Sequence, residues 1–130
     1  MKIRKIKSRI LWIVGTAISL IIFFFLCRYV IFSIHLNRDW PIFMLIIGLL
    51  ALGIASIFDG RKIMAFTSAG YIVGCALGLL FGVEGIDPGG GAINNWWIIW
   101  TISFFAIFYI GLIWEIVGRI LKNIENKYIP

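Results

Sequence analysis

Ionisable side chains inside apolar stretches are the residues best placed to do chemistry in this 130-residue chain. Two residues qualify, Arg28 and Glu115, because a charge inside a membrane helix typically marks an ion pathway or a proton relay. Arg28 ends an apolar run that begins at Ile10, and Glu115 precedes Arg119 by four residues, the spacing of a helical ion pair. Both charges are near the ends of their runs, where long side chains reach the interface. We therefore expect structural roles for these two candidate functional charges.

The other reactive residue types form no recognisable catalytic or metal-binding pattern. His35 is the only histidine and belongs to no cluster of metal ligands, which argues against a metal site. No nucleophile shares a predicted membrane depth with a base, so we expect no catalytic residue, no enzyme activity and no cofactor. Cys27 and Cys75 are interpreted as small buried hydrophobic residues. We expect Cys27 near one membrane face and Cys75 near the midplane, which argues against a disulfide between them.

The composition indicates an integral membrane protein. Hydrophobic residues make up 62% of the chain and charged residues only 14%. The mean hydropathy is +1.02. An ordinary soluble domain is about 45–50% apolar and about 25% charged, and a chain of this length cannot bury so much apolar surface in one core. The net charge of +6 is therefore interpreted as a feature of topology and of contact with lipid headgroups, and we expect no nucleic-acid partner.

Four apolar stretches predict an all-α integral membrane fold, an antiparallel bundle of four transmembrane helices. About 20 apolar residues are needed to cross the hydrocarbon core. The predicted spans, in one domain that covers 1–130, are 10–34, 41–58, 63–83 and 95–118, with an external loop at 84–94.

The connections between the spans contain turn and capping residues. Asp39 followed by Pro41 is typical of a helix start. The segment 59–62, DGRK, predicts a tight turn, so spans two and three must be antiparallel neighbours. Pro88 and the three glycines that follow it argue against regular structure in the external loop, which we expect to be a mobile surface loop.

Small residues predict where the helices pack most closely. Span three contains four glycines at spacing four: Gly70, Gly74, Gly78 and Gly82. Such a stripe lets another helix backbone approach closely inside a bilayer. Span two has small residues on one face at matching depths: Gly48, Ala51 and Ala55. We therefore expect the stripe to pack on span two, and the alternative is that it packs on a second copy of the chain.

Basic residues predict the orientation of the bundle. Of the twelve Lys and Arg residues, ten lie on the side of the two termini, and only Arg28 and Arg38 lie on the other side. This bias predicts a multi-pass protein of the cell membrane with both termini in the cytoplasm. Tryptophans agree with this arrangement, since Trp40, Trp96 and Trp97 would mark the outer interface.

The sequence favours a structural or accessory function. Its partners would be the lipid bilayer and either a larger membrane protein or another copy of itself, bound through helix faces. One alternative is an oligomeric small channel, holin-like pore or transporter, and a third is an immunity or membrane-stress protein. Polarity at mid-depth separates the first two possibilities, and here it is limited to hydroxyl groups such as those of Thr67, Ser68 and Tyr71.

Overall fold

The computed structural model describes residues 2–31 and 39–129, most of which are helical. Its helices are α1 (Lys2–Phe25), which continues into a π-helical segment (Leu26–Ile31), α2 (Trp40–Ile57), α3 (Arg61–Phe81) and α4 (Trp96–Tyr128). Within the described ranges, four helices are long and apolar enough to cross a membrane. The predicted set of four apolar helices is thereby confirmed.

The first and last helices extend beyond the predicted spans. Helix α1 begins at Lys2, so the basic residues that precede Ile10 are helical too. Helix α4 continues past Gly118 to Tyr128. Residues 32–34 of the predicted first span, together with His35 and Arg38, lie outside the described residues.

A tight turn connects α2 to α3, as predicted. Asp59 adopts a left-handed conformation with φ of 52°. The N–H of Gly60 donates to the carbonyl of Ala55 at 2.8 Å, and the N–H of Asp59 donates to the carbonyl of Ser56 at 3.4 Å. This is the hydrogen-bond pattern that commonly ends a helix with one left-handed residue, and it reverses the chain direction within a few residues.

The segment between α3 and α4 is a β-hairpin, so the prediction of a loop without regular structure was wrong. Strand β1 (Glu84–Ile86) pairs antiparallel with β2 (Ala92–Asn94). The Asp87 carboxylate accepts hydrogen bonds from the N–H groups of Gly89 and Gly91, each at 2.8 Å. An aspartate that bonds the backbone just beyond it stabilises a turn, and the glycines allow the backbone to curl around the carboxylate.

The buried core lies between all four helices, and α3 is the most buried of them while α1 is the least buried. Helix α3 contacts each of the other three helices, and its most extensive contact is with α4. The larger buried cluster consists of Leu20, Cys27, Met44, Tyr71, Cys75, Trp96, Trp100 and Phe104. A second cluster consists of Leu52, Ala55, Ile63 and Met64. The arrangement therefore places the glycine-bearing helix in the middle of the bundle.

Candidate functional site

The glycine stripe of α3 packs against α4, and the expectation that it packs on span two was wrong. A Cβ atom added at Gly74 would lie 2.6 Å from Cδ1 of Trp100 and 2.9 Å from its carbonyl oxygen. A Cβ atom at Gly78 would lie 2.8 Å from the carbonyl oxygen of Trp96, and one at Gly82 would lie 2.7 Å from the Trp96 Cβ. Real Cβ contacts are longer than this, so only glycine fits at these positions.

The contact continues in an antiparallel register along both helices. A Cβ atom at Gly70 would lie 3.3 Å from the carbonyl oxygen of Phe104. Further along, the glycine belongs to α4 and the large side chain to α3. A Cβ atom at Gly111 of α4 would lie 2.5 Å from the Cβ of Phe66 of α3. From Gly70 to Gly78, each step of four residues along α3 is matched by a step of four in the opposite direction along α4. Helices that meet at glycines gain van der Waals contact without any hydrophobic driving force from water.

The small residues of α2 contact three different helices instead of the stripe. Gly48 faces α1, since a Cβ atom there would lie 3.4 Å from a methyl carbon of Leu20. Ala51 lines a narrow groove beside phenylalanines of α4. Ala55 is fully buried in the cluster formed with the start of α3. Span two therefore contacts several neighbours and has no single close-packing partner.

Two arginines from different helices converge on the C-terminal end of α2. Arg9 of α1 donates to the carbonyl of Ser56 and, at 3.3 Å, to that of Ile57. Arg119 of α4 donates to the carbonyl of Phe58. The last carbonyls of a helix have no partner within the helix and carry partial negative charge, so guanidinium groups stabilise them.

Glu115 stabilises the N-terminal end of α3, as the two arginines stabilise the C-terminal end of α2. Its carboxylate accepts the backbone N–H of Lys62 at 3.3 Å and pairs with Nε of Arg119 at 3.0 Å. The Glu115 side chain is only 16% exposed. The expected pairing of Glu115 with Arg119 is thus present, and a carboxylate at a helix N-terminus is favourable because that end carries partial positive charge.

Arg28, the other candidate functional charge, contacts aromatic rings. Its guanidinium carbon lies 5.8 Å from the ring centre of Phe24 and 5.7 Å from that of Tyr29. Distances under about 6 Å are those of a cation–π interaction. These contacts support the expected structural role for Arg28.

Cys27 and Cys75 are in direct contact, so the expectation that they lie at different depths was wrong. Their Sγ atoms are 3.0 Å apart, and both residues are free thiols buried in the core. Helices α1 and α3 run in the same direction, with residues 11–19 beside 65–68 at one end and the two cysteines in contact further along.

Several hydroxyl groups in the helices donate hydrogen bonds to backbone carbonyls. Thr67 and Thr101 each donate at 2.7 Å to the carbonyl four residues earlier. The buried Tyr71 hydroxyl donates at 3.0 Å to the carbonyl of Pro41. Hydroxyl groups with such bonds cost little inside a bilayer and are not available to carry ions.

A groove of about 470 Å³ runs between α1 and α3 on the side of the bundle. It is lined by Leu11, Trp12, Gly15, Thr16, Ser19, Ala65 and Ser68. Most of these residues are small, and Gly15 and Ala65 are exposed. The Oγ of Ser68 has no hydrogen-bond partner among the described residues. We call this feature the α1–α3 groove.

The partners of the glycines were not predicted, although the sequence contains a signal for them. Trp96, Trp100 and Phe104 recur at spacing four in α4, the same period as the stripe. Trp96 was interpreted as an interface anchor, whereas it is only 4% exposed, and Trp100 beside it in the stripe contact is fully buried. Nothing in the sequence predicted the α1–α3 groove, because the groove depends on the distance between two helices that are not consecutive in the chain.

Comparisons of the chain with models of protein families, with curated proteins and with solved structures gave no match. Within residues 2–31 and 39–129, no group of three or more His, Cys, Asp and Glu residues could hold a metal ion.

Proposed function

We propose that this protein is an accessory subunit of the cell membrane, with both termini in the cytoplasm, which binds a transmembrane helix of a larger membrane protein. The observation that supports this proposal is the α1–α3 groove. Its small residues, such as Gly15, Ser19 and Ala65, leave room for a backbone to approach closely, which is how membrane helices associate. Ser68, whose buried Oγ has no hydrogen-bond partner among the described residues, also lines this groove.

The shape of the groove favours a different protein over a second copy of the chain. A symmetric dimer brings the same surface of both copies together. Two concave grooves placed face to face would leave both unfilled, whereas a convex helix from another protein would fill one. A larger membrane protein is therefore the proposed partner.

The interior of the bundle supports binding over conduction. Large apolar side chains fill the core, including those of Trp100, Phe104 and Leu20. Among the described residues, the core contains no Asp, Glu, Lys or Arg. A conduit needs a continuous line of polar groups or water, and a coupled transporter needs an ionisable residue at depth. In this proposal the protein neither transports nor catalyses.

Photo-crosslinking in cells of the native host tests the proposal. A photoreactive residue at Ala65 would lie in the α1–α3 groove, and one at Ile102 would lie on the exposed surface of α4. We expect a crosslinked product much larger than a dimer from position 65 and none from position 102. A product at the dimer mass would show self-association, and the absence of any protein product from position 65 would contradict the proposal.

A matched pair of glycine substitutions shows whether the groove itself is required. A Cβ atom added at Gly15 or at Gly53 would meet nothing within 4 Å, so the two positions are matched in the space at the backbone. Gly15→Leu fills the groove and should abolish the crosslink from position 65. Gly53→Leu, on α2, should leave it unchanged. Equal effects of the two substitutions would exclude the groove as the binding surface.

A further inference from the structure

The contact between Cys27 and Cys75 joins two segments that are 48 residues apart in the chain. Cys27 belongs to the π-helical segment that continues α1, and Cys75 belongs to α3. Their exposed fractions are 0% and 1%. The two thiols are therefore in contact with each other, in a part of the core that water does not reach.

The geometry of this contact is close to that of a covalent bond. The two Sγ atoms are 3.0 Å apart, and a disulfide bond is about 2.0 Å long. An approach of about 1 Å, within the reach of small changes in side-chain torsion, would bring them to bonding distance. Surrounding side chains such as Leu20, Met44 and Tyr71 keep both sulfur atoms within the same cluster.

We infer that Cys27 and Cys75 are a redox-active pair that forms a reversible intramolecular disulfide. Formation of the disulfide breaks two S–H bonds and makes one S–S bond. The two protons and two electrons that are released pass to an oxidant. The oxidant is a small neutral two-electron acceptor, such as a quinone, which becomes a quinol, or an azodicarboxamide, which becomes a hydrazine. The oxidant must be small and neutral, because the thiols lie in an apolar core.

The disulfide would fix α1 to α3, the two helices that line the α1–α3 groove. Because a cross-link between distant residues restricts the unfolded chain, the oxidised protein should unfold at a higher temperature than the reduced protein. This inference rests on the sulfur contact alone and does not depend on the proposed partner.

Thiol counting on the purified full-length protein in mild detergent tests the inference. The folded protein is treated with diamide, an azodicarboxamide, and then denatured and treated with N-ethylmaleimide. We expect the wild type to take up no maleimide and its intact mass to fall by two hydrogen atoms. Dithiothreitol should restore the uptake of two maleimides and lower the Tm to the reduced value.

A control with the same composition exchanges two adjacent residues. The double substitution Cys75→Ala with Ala76→Cys keeps two thiols but moves the second to an exposed position of α3. After diamide treatment this variant should form no intramolecular disulfide. Cys27→Ser, which keeps one thiol, should still take up one maleimide in its monomeric form and show no rise in Tm.

Two results would overturn the inference. One is that the wild type still takes up two maleimides after prolonged treatment with diamide. The other is that it loses its thiols only by forming linked dimers, which reducing agent separates on a gel. The intact mass of the monomer distinguishes the second result from the expected one.

Discussion

At the residue scale, Gly74 is one of the positions where α3 and α4 approach most closely. The indole and the carbonyl of Trp100 occupy the space where any other residue would have its Cβ atom. One methyl group is therefore enough to separate α3 from α4. This differs from the other glycines of the chain that have open space around them, such as Gly15 and Gly53.

Gly74→Ala should destabilise the bundle. The added Cβ would lie 2.6 Å from Trp100 Cδ1, so the helices must move apart, and overpacking of this kind costs about 1–3 kcal/mol. Gly53→Ala is the matched control, and because alanine favours helix it should stabilise by up to about 1 kcal/mol. Thermal unfolding in detergent measures both. If Gly74→Ala unfolded at the wild-type temperature or above, the close contact with Trp100 would be refuted.

At the scale of elements, the ends of α2 and α3 are completed by side chains from α1 and α4. Arg9 and Arg119 bond the last carbonyls of α2, and Glu115 bonds the start of α3. Helix ends leave backbone groups without partners inside the helix, and a carbonyl that loses its partner near the membrane costs free energy. The charges at this end of the bundle therefore hold helices together.

Glu115→Ala should destabilise this end of the bundle by about 1–3 kcal/mol, because it removes hydrogen bonds to a charged acceptor and leaves Arg119 without its carboxylate partner. Glu115→Gln keeps an acceptor oxygen and should cost less. Glu125→Ala, at an exposed position further along α4, serves as the control and should change stability by less than about 0.5 kcal/mol. Equal unfolding temperatures for Glu115→Ala and Glu125→Ala would contradict the role of Glu115.

The sequence predicted the elements well and their contacts poorly. Long apolar runs are a local signal, so the four helices and the turn at Asp59 could be predicted from composition and turn residues. The β-hairpin could not, because its turn depends on Asp87 accepting backbone hydrogen bonds from glycines that usually indicate disorder. The partner of the glycine stripe could not be assigned either, since depth matching alone does not distinguish α2 from α4.

At the scale of the whole molecule, the distribution of basic residues and the filled core lead to separate expectations. The basic residues predict the orientation of the bundle in a membrane. The filled core predicts that the bundle does not conduct ions. Arg61 and Lys62 lie on the side of the basic N-terminal segment, while the β-hairpin lies at the other end of α3. Each expectation is tested on the intact protein.

Reporter fusions after residues 60, 90 and 129 test the orientation. We expect cytoplasmic signals from 60 and 129 and an external signal from 90, because the basic residues cluster on the side of the termini. An external signal from position 60 would contradict the four-span topology.

Ion flux in proteoliposomes tests the absence of a conduit. We expect the wild type to conduct no more than protein-free vesicles, because Trp100, Tyr71 and Phe104 are fully buried and fill the centre of the bundle. Vesicles with added gramicidin provide the positive control. Flux that rises with the amount of folded protein would favour the oligomeric channel or pore.

The position of the glycine contact along the chain has a consequence for biosynthesis. The face of α3 that bears Gly74 and Gly78 packs against α4, which is synthesised after α3. Until α4 has been made, this face of α3 lacks the partner that the structure gives it. We therefore expect a nascent chain stopped after residue 83 to leave the glycine face uncovered, and the contact between α3 and α4 to form late in synthesis.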